Sequence, residues 1–233
     1  CKRDTAPCIG LAALLVSKHD PDATMVVLPA DHVIEPAEVF QAAIHQAAAL
    51  VDESPARIVT FGIRPEYPAE IYGYIEAGDK LPGQAAGNAP VFRVQQFREK
   101  PDAATAQSFL DQGNFYWNSG IFVWKAATIL DALATHQPEM FGHLQAIGKA
   151  IGTPQFDETL QREFAAIKGV SIDFAVMEHA QDIAMIEAPF SWDDVGSWRA
   201  LSRLREPDSE GNTVLSRRYL ALESSDNIVR SEG

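Results

Sequence analysis

Met25-Val26-Val27-Leu28-Pro29-Ala30-Asp31-His32-Val33-Ile34 decides the reading of this chain. It opens as a short β-branched apolar run, the pattern of a strand buried on both faces, and so predicts a central strand of a parallel sheet. Pro29 stops it, and Asp31 and His32 follow just past its end. In open α/β sheets ligands sit outside the carboxyl ends of such strands. Asp31 is therefore a candidate metal ligand, and His32 reads as a packing residue rather than a ligand.

The flanks agree with that reading. Asp4 and Thr5 can cap a helix with Pro7 in its first turn, and Ile9 to His19 is rich in Ala and Leu. A second helix is expected over Ala37 to Val51, and a strand over Arg57 to Ile63. Helix, strand, helix, strand is the order of a sheet with right-handed crossovers. The fold class expected is α/β, Rossmann-like, with a mixed, mainly parallel sheet flanked by helices.

Further on, a strand is expected near Tyr72 to Glu76 and a connection over Gly78 to Pro90. Val91 to Phe97 reads as a strand, Asp102 to Gln112 as a capped helix, and Phe115 to Trp124 as a strand broken at Asn118-Ser119-Gly120. Helices are predicted over Ala126 to His136, Pro138 to Ile151, Phe156 to Ile167 and Phe174 to Ala180. Then come a strand over Ile183 to Ala188 and a helix capped by Ser197 and running to Leu204. From Thr213 only short strands are expected, Val214 to Leu222 and Ile228-Val229. The boundaries read from this pattern are a catalytic domain over 1–206 and, over 207–233, a linker with the start of a β-helix-like segment.

The chain has 233 residues, 46% hydrophobic and 22% charged, which suits a folded domain with a sizeable core. A net charge of −13 disfavours nucleic acid or an anionic membrane as partner, though not an anionic small molecule met by local cations and Mg²⁺. No apolar run reaches the ~20 residues of a membrane span. Cys1 and Cys8 are too few for a disulfide framework, which points to the cytoplasm.

Several other stretches can carry chemistry. Asp193-Asp194 follow an apolar stretch and precede Gly196. Asp194 reads either as a turn residue or as a second carboxylate meeting Asp31 across the sheet, and two hard oxygen ligands plus phosphate oxygens suit Mg²⁺. In Arg98-Glu99-Lys100-Pro101, Lys100 can meet a phosphate as a point charge, and Glu99 can accept hydrogen bonds from vicinal sugar hydroxyls. Asn118-Ser119-Gly120, inside an otherwise apolar run, is either a bulge or a pocket floor. Gly73, between Tyr72 and Tyr74, marks close packing. Lys2 and Arg3 precede a helix N-terminus, where an anion could be held.

Taken together and in order, KRDTAP, LPADH, FREKP, NSG, SIDFAVMEH and WDDVGSW resemble the mannose-1-phosphate guanylyltransferases among the sugar-phosphate nucleotidyltransferases. The resemblance runs to about Glu206. It implies transfer of GMP from GTP to α-D-mannose 1-phosphate with Mg²⁺, in a homodimer. It also implies metal-binding roles for Asp31 and Asp194, sugar and phosphate roles for Glu99 and Lys100, sugar contacts for Asn118 and Gly73, and a place near the nucleotide for Arg3. Asp173 lies in the segment typical of the guanylyl branch, with no role assigned. The family's glycine-rich signature loop is expected upstream of Cys1. A transferase for another sugar phosphate and nucleotide, and a silent nucleotide-sugar-sensing homologue, are the alternatives.

Overall fold

The computed structural model describes residues 2–82, 88–98, 100–198 and 200–231. Its elements in chain order are α1 (Thr5–His19), β1 (Thr24–Val27), β2 (Val33–Glu35), α2 (Ala37–Glu53), β3 (Ile58–Ile63), β4 (Tyr74–Lys80) and β5 (Val91–Arg98). There follow α3 (Ala103–Gln112), β6 (Phe115–Lys125), α4 (Ala126–His136), α5 (Pro138–Ala150), α6 (Phe156–Ala166) and a π-helical turn (Asp173–Met177). The chain ends with β7 (Ile183–Glu187), β8 (Ser191–Asp193), α7 (Ala200–Leu204), β9 (Thr213–Leu215) and β10 (Ile228–Arg230). Contacts divide the chain into two compact units, one of Cys1–Leu28 with Gln41–Pro189 and one of Pro29–Phe40 with Phe190–Gly233. This division follows contacts rather than chain order, and so differs from the boundary drawn at residue 206.

In the first unit the strands are ordered β1-β6-β3-β7-β5-β4, and β4 also joins β6, so the hydrogen-bonded ladder returns on itself. β3 and β7 pair in parallel, while β6 runs antiparallel to β1, β3 and β4, and β5 antiparallel to β7 and β4. β1, β3, β4 and β7 thus share one direction. The sheet is mixed, as expected of the α/β class.

The position of β1 corrects the first expectation. Within the described residues β1 is an edge strand, paired antiparallel with β6 and not central. Met25 is buried, but Val26 is 39% exposed, so one face of the run meets solvent. An apolar run of four residues carries no information about which neighbour it will pair with.

β6 corrects another. Asn118-Ser119-Gly120 do not break it: β6 runs unbroken from Phe115 to Lys125. The irregularity lies in its partner, where the β3 register shifts between Thr60 and Gly62. The expected helix over Phe174 to Ala180 is instead the π-helical turn, and Gly78 to Lys80 belong to β4. α7 starts at Ala200, later than Ser197, and β9 is far shorter than the expected strand over Val214 to Leu222.

The core of this unit forms where α1, α4 and α5 bury Ala6, Ala13, Ile129, Leu133 and Leu144 against Phe122 and Trp124 of β6 and Ile183 of β7. These apolar positions recur every three or four residues along their helices, which is what turns one face of each inward. In the second unit β2 pairs antiparallel with β8, and β9 runs parallel to β10.

Gly62 of β3 lies opposite Asn118 of β6. A Cβ there would stand 2.2 Å from Met185 Sδ and 2.9 Å from Tyr116 Cβ. The thioether can swing away, but the Tyr116 Cβ is fixed to its strand. Gly62→Ala is expected to lower stability by about 1–3 kcal/mol, the usual cost of forcing extra volume into a packed core, read as the shift in a urea unfolding midpoint.

Candidate functional site

The residues singled out in the sequence fall into two groups, one in each unit. In the second unit the register of β2 and β8 decides what meets. Val33 opposes Asp193, Ile34 opposes Trp192 and Glu35 opposes Ser191. One step beyond the ladder, this register sets His32 against Asp194, with Asp31 next to it. Asp31, Asp194 and Asp193 all bear electrostatically on His32. PADH and WDDVG are therefore brought together, although by a separate two-stranded ladder and not across the main sheet.

The adjacent aspartates have different surroundings. Asp193 is buried, 8% exposed, and Arg203 of α7 grips both its oxygens, Nε to Oδ2 at 2.7 Å and Nη2 to Oδ1 at 3.1 Å. The Val195 N–H donates to the same carboxylate at 2.8 Å. Asp194 is half-buried and accepts the Gly196 N–H at 3.2 Å. Glycine is required there, since a Cβ would stand 2.7 Å from Asp194 Oδ2. Val195 between them sits at φ 49°, a left-handed backbone that a β-branched residue rarely adopts.

His32 accepts a hydrogen bond at Nδ1 from Trp192 Nε1–H, 3.0 Å away, with the two rings edge to face at 5.2 Å. That bond requires the proton on Nε2 and a neutral ring. Burial lowers the His32 pKa below its ordinary 6.5, outweighing the three aspartates, which act to raise it.

Two exposed or half-buried carboxylates of this kind suit a divalent ion that takes its other ligands from phosphate oxygens and water. Among the described residues no group of three or more His, Cys, Asp and Glu side chains comes together. The donor set therefore fits Mg²⁺ of that open type better than a closed cage of protein ligands.

In the first unit, three motifs meet around Tyr74. On one side it opposes Arg98, the last residue of β5, and on the other Trp117 of β6. The Asn118 N–H donates to the Gly73 carbonyl at 2.8 Å. Asn118 Nδ2 donates to Asp173 Oδ1 at 2.9 Å, and Asn118 Oδ1 accepts the Gly120 N–H at 3.1 Å. Lys100, two residues past β5, is exposed, at φ 28°. Glu99 lies outside the described residues.

Arg3 is placed elsewhere. Its Nε donates to the Phe164 carbonyl at 3.3 Å and its Nη2 to the Ala165 carbonyl, so the guanidinium closes the C-terminal end of α6. Lys2-Arg3-Asp4-Thr5 also holds the SIDF segment: Thr5 Oγ1 accepts the Ile172 N–H at 2.8 Å, and the Ala6 N–H donates to the Val170 carbonyl at 3.1 Å. The sequence reading missed the Asp193–Arg203 pair, because no local pattern links a turn to a helix ten residues on. It noted Asp173 but assigned it no role.

A family profile described as "Nucleotidyl transferase" matches residues 1–210. The chain belongs to the nucleotidyl transferase family. It is 41% identical over 212 residues to a xanthan biosynthesis protein, XanB, of Xanthomonas campestris pv. campestris strain B100, covering 90% of this chain and 43% of that protein. It is 37% identical over 213 residues to a mannose-1-phosphate guanylyltransferase of Escherichia coli K12, covering 90% and 44%. The chain thus spans less than half the length of these curated relatives. A crystal structure described as a mannose-1-phosphate geranyltransferase from Thermus thermophilus superposes with a TM-score of 0.80 at 30% identity, over 99% of this chain and 65% of that one. The α/β architecture is that of the nucleotidyltransferase fold. Among the described residues no helix is long and apolar enough to cross a membrane.

Two expectations follow from the second unit. Arg203→Ala leaves a buried carboxylate without its cation and is expected to cost about 1–3 kcal/mol, discounted because the Arg203 side chain is 37% exposed. Asp194→Asn should cost far less; thermal unfolding of both variants compares them. His32 should titrate below 6.5, so the unfolded chain binds more protons between the folded midpoint and 6.5, and acidification through that window costs stability. Trp192→Phe removes the donor to Nδ1 and should move the His32 midpoint upward, read by NMR of the ring Hε1 in metal-free protein.

Proposed function

We propose that this chain is the nucleotidyl-transfer domain of a mannose-1-phosphate guanylyltransferase, joining GMP from GTP to α-D-mannose 1-phosphate with release of pyrophosphate. The observation that carries this reading is the β2–β8 register, which sets Asp31 and Asp194 about one imidazole, His32. The mannose and guanine assignments rest on the ordered motifs and on likeness to proteins named for that activity, 36% identical over 236 residues in one case from Escherichia coli O157:H7.

The chemistry is an in-line displacement at phosphorus. A phosphate oxygen of the sugar phosphate forms a bond to the α-phosphorus of GTP, and the bond from that phosphorus to the bridging oxygen breaks. The electron pair leaves with pyrophosphate. The nucleophile is already anionic at neutral pH, so no general base is needed. The task is to hold two anions together and offset their charge. Asp31 and Asp194 are the residues that would hold Mg²⁺, which when bound neutralises phosphate oxygens and polarises the phosphorus under attack.

The other roles belong to side chains of the first unit. Lys100 meets the phosphate of the sugar phosphate as a mobile point charge. Asn118 presents its amide to a sugar hydroxyl, the Gly73 backbone leaves room for the ring, and Glu99 accepts from vicinal hydroxyls. Arg3, engaged with the end of α6, serves the fold of the segment beside it.

With a panel of nucleoside triphosphates against mannose and glucose 1-phosphates, GTP with mannose 1-phosphate should give the highest kcat/KM, and preference for another pair would overturn the specificity. Asp31→Asn and Asp194→Asn should each lower kcat by about 100-fold or more with the fold intact, as expected when a metal-bound charge is lost in phosphoryl transfer. Near-normal turnover in either variant excludes the metal role. Lys100→Ala should raise the KM for mannose 1-phosphate by about tenfold and leave that for GTP unchanged.

A further inference from the structure

Asn118 interrupts an apolar strand with a group that can both donate and accept. A primary amide seen alone can lie either way round, and in one of the two orientations it would offer a ligand the wrong atom. Here the choice is made by its neighbours. A backbone N–H can only donate, and the Gly120 N–H meets Oδ1 at 3.1 Å. An ionised carboxylate can only accept, and Asp173 Oδ1 meets Nδ2 at 2.9 Å. The backbone of Asn118 is pinned as well, through its N–H to the Gly73 carbonyl at 2.8 Å. One Nδ2 hydrogen and one lone pair of Oδ1 remain, in a single orientation.

Asp173 is itself held in place. It opens the π-helical turn, whose Glu178 N–H reaches back five residues to the Asp173 carbonyl at 3.0 Å. Single π turns of this kind concentrate at functional sites, because the wider turn sets a side chain where an α-helix would not. The residue before it, Ile172, is tied through its N–H to Thr5 Oγ1 at 2.8 Å. The residue after it, Phe174, has its N–H on Ser171 Oγ at 3.3 Å. KRDTAP, SIDF, NSG and YGY are thereby one hydrogen-bonded chain.

We infer that Asp173 is a positioning residue that fixes the orientation of the Asn118 amide and so sets how this site meets a hydroxyl of the sugar phosphate. The hydrogen bond stands on the geometry alone, while its consequence for the sugar rests on the function proposed above. Asp173 touches no reacting atom in this scheme and acts through Asn118.

The test is a double-mutant cycle with two readouts. Asp173→Ala should raise the KM for the sugar phosphate by about tenfold, the worth of one hydrogen bond to a charged group, with a smaller change in kcat and none in the KM for GTP. Asp173→Asn, whose Oδ1 can still accept from Nδ2, should restore most of that loss. In an Asn118→Ala background, Asp173→Ala should add nothing further. An undiminished effect of Asp173→Ala in that background, or a change falling on GTP instead, overturns the inference.

The second readout needs no substrate. In ¹⁵N-labelled free protein one Asn118 side-chain amide hydrogen should be shifted and protected from exchange, and Asp173→Ala should abolish both while Asp173→Asn keeps them. If these signals do not respond, the positioning role fails even in an active enzyme. If they respond but mannose 1-phosphate is not a substrate, the substrate proposal fails and the positioning role stands.

Discussion

The first unit depends on one strand that has hydrogen-bonding partners along both edges. β6 pairs with β1, β3 and β4 in turn, and its Ile121, Val123 and Trp124 are fully buried. A strand so placed cannot carry a polar side chain without satisfying it, since an unmet buried amide or hydroxyl costs about 1–3 kcal/mol. Both polar residues of Asn118-Ser119-Gly120 obey that rule. Ser119 Oγ accepts the Ile121 N–H at 3.2 Å, and Asn118 is engaged by Gly120 and Asp173. The polar insertion survives in β6 because its partners come with it, and those partners lead directly to the other motifs of that unit.

In the second unit the controlling fact is how neighbouring like charges are handled. Three aspartates lie about His32, yet only Asp193 has an arginine forked onto both oxygens. A bidentate guanidinium fixes that carboxylate in a structural role and shapes the turn after β8. Asp194, one residue on, points its carboxylate into a different environment because Val195 adopts a strained left-handed backbone and Gly196 leaves it room. Backbone strain of that sort persists only where the surroundings over-determine it, and it gathers at sites of function.

Much of this was legible in the linear chain. Asp102 as the cap of α3, Pro138 at the start of α5 and the periodic apolar faces of the helices follow from local chemistry. So did the α/β class, and the choice of Asp31, Asp194, Lys100 and Asn118 as the polar residues that break otherwise apolar or strand-like stretches. Less was legible about pairing. MVVL was expected at the centre of a parallel sheet and lies at an edge in antiparallel pairing. Arg3 read as an anion site because a cation precedes a helix, while its guanidinium in fact reaches the carbonyls of a different helix.

The sequence by itself determined where elements begin and end, which faces are apolar and which residues could do chemistry, because caps, turns and periodicity act over a few residues. Only the tertiary structure decided which edges pair, that Asp193 and not Asp194 is bound to Arg203, and that Asp173 meets Asn118 from 55 positions away. Those outcomes depend on strand register. A shift by one residue would send each of these side chains to the opposite face.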